Sequence, residues 1–121
     1  MRPTWAEINL DSLIHNFGTL KALLGPGVAV LSVVKADAYG HGAVEVAGAL
    51  AEAGTEMLGV ATVEEAVELR DYGLELPILL LGGIRPEEAW VAVEHSLTPT
   101  IYSLETAKAL DYESARADKR T

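Results

Sequence analysis

The stretch Val28-Ala29-Val30-Leu31-Ser32-Val33-Val34-Lys35-Ala36-Asp37-Ala38-Tyr39-Gly40-His41-Gly42 decides the fold. Val28 to Val34 is rich in β-branched residues and apolar on both alternating faces, which is how a buried parallel strand reads. A lysine, a short polar loop and two glycines end the run. Beyond Gly42 the period changes, and Val44, Val46, Ala47 and Leu50 recur at helical spacing as far as Gly54. This predicts a helix over 42–53 with a glycine stop. Strand, loop and helix together make one βα unit.

The same alternation extends in both directions. Upstream, Leu13, Ile14, Phe17, Leu20 and Leu24 share one face of a predicted helix, with Asp11 a candidate cap and Gly25 a candidate stop. Downstream, Met57 to Ala61 reads as a strand. Thr62-Val63-Glu64-Glu65 then forms a capping box, in which a hydroxyl and a carboxylate satisfy each other's orphan amides. Pro77 to Leu81 is a third strand, broken by Gly82 and Gly83. Pro86 suits the first turn of the following helix. Leu97 to Tyr102 is a fourth strand, and Ser103 caps the last helix. Strand starts spaced by roughly 20–30 residues suit parallel strands joined by right-handed crossovers. Thr4 to Leu10 alternates like a separate strand that would pair elsewhere.

The expected class is therefore α/β, a helix followed by four βα units. Four parallel strands can form an open doubly wound sheet or the N-terminal half of a TIM-type (β/α)8 barrel, and periodicity does not choose between them. No G-x-G-x-x-G follows any strand, so the dinucleotide fingerprint of an open sheet is missing.

Composition narrows the partners. Eighteen acidic residues against 9 Lys and Arg give a net charge of −9, which excludes a phosphate-driven nucleic-acid binder and disfavours an anionic membrane surface. No cysteine is present, which removes disulfides, thiolate metal sites and a cysteine nucleophile, and fits a cytoplasmic location. The first residues lack a signal-peptide core, and no apolar run approaches the ~20 residues of a membrane span. No His, Asp or Glu residues have metal-ligand spacing, so no metal is predicted.

Lys35 closes the first strong strand, at the sheet end where α/β folds gather their active sites. Strand alternation would put it on the face of Leu31 and Val33. A lysine there can be a nucleophile toward a carbonyl or can simply snorkel to water, and position alone leaves both open. Tyr39 could pack the loop as an aromatic wedge. Val33 and Leu81 could be ordinary core. His41 and Asp37 need no catalytic role, since local hydrogen bonding and helix N-terminal charge complementarity account for them.

The run Val33 to Gly42 resembles the cofactor-attachment motif of alanine racemases nearly letter for letter. The resemblance extends upstream through Thr4 to Leu10 and Asn16. Downstream it takes in Glu64-Glu65-Ala66, Leu69-Arg70, Gly73 and Pro77 to Gly82, reaching about Leu110. It implies that Lys35 carries pyridoxal 5'-phosphate as a Schiff base and works as the base on one face of the substrate. It implies that Tyr39 hydrogen-bonds the cofactor phosphate and that Val33 and Leu81 line the cofactor pocket. It further implies interconversion of L- and D-alanine, supplying D-alanine for peptidoglycan, by a homodimer whose second base is a tyrosine of the partner subunit. Alternatives within this resemblance are a serine racemase or a related barrel decarboxylase, against which the full Lys35–Gly42 run argues. A non-catalytic fragment that binds the cofactor weakly or not at all is a further alternative.

The expected domain is a partial cofactor-binding barrel over 1–121, because a complete barrel takes roughly 250 residues. The family's later Asp-Thr-Gly-Met-Gly-Arg type motif and its C-terminal β-domain find no counterpart after Leu110. Such a half barrel would leave the Leu31 and Val33 face open, so the chain by itself is expected to associate and to turn over substrate weakly or not at all.

Overall fold

The computed structural model describes residues 3–120. The chain order is α1 (Leu10–Leu24), β1 (Leu31–Val33), α2 (Lys35–Gly40), α3 (Ala43–Ala53), β2 (Met57–Val60), α4 (Val63–Asp71), β3 (Ile78–Leu80), a 3₁₀ turn (Pro86–Glu88), α5 (Ala89–Glu94), β4 (Thr98–Pro99) and α6 (Leu104–Ala117). The strands form one 4-stranded sheet in the order β1-β2-β3-β4, with every neighbouring pair parallel. A doubly wound sheet reverses its strand order at a switch point. Here the order never reverses, as expected for the N-terminal half of a TIM-type barrel.

Burial confirms that helices cover one face only. Leu58, Val60, Ile78 and Leu80 are fully buried, and they pack with Val46, Ala47, Leu50, Ala66, Leu69, Ala92, Val93 and Leu97 from the helical layer. The intervening strand residues face the other way. Val33 is 49% exposed, and Leu31, Leu79 and Leu81 are half-buried. This open side corresponds to the inner face of a barrel.

The ends of the elements follow local chemistry. Thr62 and Glu65 form the expected capping box on α4. Ser103 caps α6, and Gly54 ends α3 at φ 96°. Arg70 then locks the opposite end of the sheet. Its guanidinium donates to the carbonyls of Leu74, Leu76, His95 and Ser96 at 2.6, 2.8, 2.9 and 3.1 Å, tying the loops that enter β3 and β4.

Some expectations need correction. The cap of α1 is Asn9, whose side chain accepts from the Ser12 amide at 2.9 Å; Asp11 lies inside the first turn. The expected strand over Thr4 to Leu10 is not formed: Thr4 to Asn9 has no strand pairing among the described residues, and Leu10 opens α1. β1 and β4 are shorter than the apolar runs that announce them. Apolar patterning marks what is buried, whereas a strand also requires a paired neighbour. Alternation along β1 stops at Val33, since Val34 already departs from extended geometry at ψ 19°. Lys35 is therefore placed by the loop that follows, not by strand period.

Candidate active site

Lys35 sits at the C-terminal end of β1, half-buried. No hydrogen bond or ion pair engages its ammonium among the described residues. Its neighbour Val34 is buried on the helical side and continues the sheet, donating to the Gly59 carbonyl at 2.8 Å.

The backbone then takes a conformation that local sequence does not announce. Ala36, Asp37, Ala38 and Tyr39 have φ of 52, 53, 50 and 55° with ψ between 39 and 50°, so α2 is one left-handed turn built from residues other than glycine. Left-handed helical geometry costs an L-residue roughly 1–2 kcal/mol at each position. Such a turn persists only where its surroundings hold it. Gly40 and Gly42, at φ 85 and 89°, complete the reversal into α3 at the positions expected from sequence.

Three side chains hold this turn. Glu65 accepts from the Ala36 amide at 2.7 Å through one oxygen, and from the Ala61 and Thr62 amides at 2.7 and 3.2 Å through the other. Asp37 accepts from the Ala43 amide at 2.8 Å and so caps α3 from the loop. His41 donates from Nδ1 to the Ala38 carbonyl at 2.8 Å, which fixes the tautomer because a carbonyl can only accept. Asp37 and His41 thus have the local roles that the sequence allowed them. Glu65 was legible as half of a capping box and as part of the racemase resemblance; its reach back to Ala36 had no sequence signal.

Tyr39 does not pack as a wedge. It is 72% exposed, and its phenol has no partner among the described residues. It borders an open cleft of about 480 Å³ together with Val33, Ala38, His41, Asn16 and Asn9. Lys35 is not in the lining of this cleft. A larger hollow of about 700 Å³ runs along α6 past Ile101 and Leu110 and touches none of these residues.

Val33 and Leu81 do come together. A Cβ at Gly59 would lie 3.5 Å from a methyl of each and 2.8 Å from Leu31 Cδ2. Gly59 is itself buried, so the absence of a side chain there lets Leu31, Val33 and Leu81 close over β2 as an apolar patch on the open face of the sheet. The structure thus offers a lysine at a strand end, a phenol four residues further along the chain with no partner among the described residues, and an apolar patch on the open face of the sheet; Val33 borders both the Tyr39 cleft and that patch.

A parallel half barrel with a lysine at the end of its first strand defines the class: the N-terminal portion of an α/β-barrel domain. The family model described as alanine racemase, N-terminal domain, matches residues 8–121, and the chain belongs to that family. Alanine racemase 2 of Caldanaerobacter subterraneus subsp. tengcongensis is 49% identical over 120 residues, which make up 99% of this chain and 31% of that protein. The solved alanine racemase of Clostridium difficile 630 superposes with a TM-score of 0.94 at 43% identity, covering 99% of this chain and 32% of that one. The alanine racemase of Bartonella henselae, solved with covalently bound pyridoxal phosphate, superposes with a TM-score of 0.80 at 31% identity, covering 93% and 33%. The chain thus spans about a third of the length of the relatives it matches.

Proposed function

We propose that this chain is the cofactor-lysine portion of a pyridoxal-5'-phosphate-dependent alanine racemase. The observation that carries the reading is Lys35 itself: a half-buried lysine at the C-terminal end of β1, its amine without a partner among the described residues, followed at once by the braced turn that carries Tyr39. The residues present fit such a cofactor. Lys35 supplies an amine for its aldehyde, Tyr39 a free hydroxyl for its phosphate, and Val33 and Leu81 an apolar wall for its ring.

When bound, the cofactor supplies an electron-poor ring that spreads the negative charge left by removing an amino acid's α-proton. Lys35 would hold it through Nζ, and its amine, when free, would accept or return the α-proton on one face. Tyr39 would donate to the phosphate and anchor the ring's position. Racemisation needs a second proton carrier on the opposite face. We assign it to a tyrosine of a partner subunit in a homodimer, and the domain to a partial barrel. The product D-alanine would supply cell-wall peptidoglycan, and the protein would work in the cytoplasm.

The test is reductive trapping. The chain is mixed with pyridoxal 5'-phosphate, reduced with borohydride, digested and mapped. A pyridoxyl group on Lys35, absent in Lys35→Ala, supports the reading, and folded protein without label at Lys35 overturns it. A D-alanine assay on the same sample separates turnover from binding alone.

A further inference from the structure

The contact between Glu65 and the Ala36 amide exceeds what helix capping needs. A capping box asks the glutamate to reach only the amide of the cap residue, here Thr62. Glu65 does that with one oxygen, which also takes the Ala61 amide, and turns the other oxygen onto Ala36, across from β2 to the loop after β1. The Ala36 nitrogen belongs to the peptide that carries the Lys35 carbonyl. Holding it fixes the rotation of Lys35 about its Cα–C bond at the start of a left-handed turn. Only a carboxylate suits this place. An amide side chain has one accepting oxygen, and its NH₂ would face a backbone N–H. An aspartate is one methylene shorter and gives up one of the two ends.

We infer that Glu65 is a positioning residue for Lys35: by bridging the Ala36 amide to the Ala61 and Thr62 amides, it sets the direction from which the Lys35 amine meets an aldehyde-bearing ligand. This rests on Lys35 being the cofactor lysine. Glu65 itself touches no ligand; it acts through the backbone.

The experiment compares the full chain with E65Q, E65D and T62A. T62A removes the other half of the capping box and leaves the Glu65 carboxylate in place. Three quantities are read on folded protein: hydrogen exchange of the Ala36 amide by NMR, acylation of Lys35 relative to Lys108 by a neutral reagent, and borohydride trapping of pyridoxal 5'-phosphate on Lys35. E65Q should lower protection of the Ala36 amide about tenfold or more, as expected for losing a hydrogen bond to a charged acceptor. It should shift the Lys35-to-Lys108 ratio and the trapping rate by roughly threefold or more, because a displaced amine loses its approach geometry. T62A should leave all three within about twofold of the parent while still weakening the α4 cap.

Equal Ala36 protection and equal Lys35 ratios in E65Q and T62A would overturn the inference and leave Glu65 a helix cap. An unprotected Ala36 amide in the folded parent chain would overturn it too, even if every Glu65 variant failed to fold. If the parent takes no pyridoxal label while protection and ratio respond to E65Q, Glu65 still orients the Lys35 amine, and the cofactor reading, together with the aldehyde-bearing ligand, is what fails.

Discussion

Gly82 lies directly on the backbone of Ala61. Its amide donates to the Ala61 carbonyl at 3.2 Å, and a Cβ on Gly82 would come within 2.5 Å of that oxygen. This is how the C-terminal ends of β2 and β3 close on each other beside the Lys35 turn. Because the obstacle is main chain, no rotamer change relieves it. Gly82→Ala should destabilise the chain by roughly 1–3 kcal/mol, the range for forced overpacking. Gly59→Ala should cost less, because the 2.8 Å contact there is with the tip of the half-buried Leu31 side chain, which can swing toward the open face. Urea titrations of both variants check the ranking; a Gly82→Ala midpoint equal to the parent's would contradict it.

Arg70 should be a keystone of the sheet's other end. Burial pushes its guanidinium down from the ordinary arginine range, with the Glu75 charge opposing the shift, and the guanidinium meets four backbone carbonyls. Removing it leaves four carbonyls to find water or strain. Arg70→Ala should cost about 2–4 kcal/mol, as for truncating one side of a multiply bonded charged group. Arg70→Lys should recover only part of this, since a point-like ammonium cannot match a planar fork. Thermal or urea denaturation of the pair would expose any failure of this order.

Acid should weaken the fold in a defined window. The hydrogen bond from Lys21, and then that from the Val30 amide, hold the Glu56 carboxyl below its usual range. The side chain and then the backbone amide of Arg85 do the same for Glu88. A depressed carboxyl contributes stability that is fully present above the unfolded-state value, about 4.3, and is lost as pH falls through the lower folded-state value. Stability from these groups should be flat near neutrality and decline below about pH 4.5. Glu56→Gln and Glu88→Gln should each flatten that decline, and an unchanged acid slope in both would refute the assignment.

Tyr39→Phe separates fold from site. With the phenol exposed and without a partner, stability should stay within about 0.5 kcal/mol of the parent. If the hydroxyl anchors a phosphate, retention of pyridoxal 5'-phosphate should fall about tenfold, as for losing a hydrogen bond to a charged group. Equal retention measured by absorbance after dialysis would remove Tyr39 from the site.

The open face should make the isolated chain sticky. Val33, Ile101, Tyr102 and Leu104 are exposed near the sheet's open ends, and Leu20, Leu23 and Leu24 of α1 border an apolar groove of about 570 Å³ beside β1. Unpaired parallel edges and apolar patches of this kind drive association. Small-angle scattering should show dimers or larger species whose fraction rises with concentration. A monomer throughout would contradict this.

The sequence by itself determined the element order, the capping box at Thr62, the glycine stops and the strand-end placement of Lys35. Each of these depends on neighbours within a few residues, where periodicity and capping chemistry act. It also carried the racemase resemblance, because the Lys35–Gly42 run is local. Only the tertiary structure decided between an open sheet and a half barrel, since strand order is a relation between distant segments. The left-handed turn after Lys35 belongs to the same class. Little in Ala36-Asp37-Ala38-Tyr39 announces it, and Glu65, supplied by another βα unit, joins Asp37 and His41 in holding it. The convergence of Val33 and Leu81 over Gly59 was likewise invisible in the chain, because it follows from parallel register rather than from spacing.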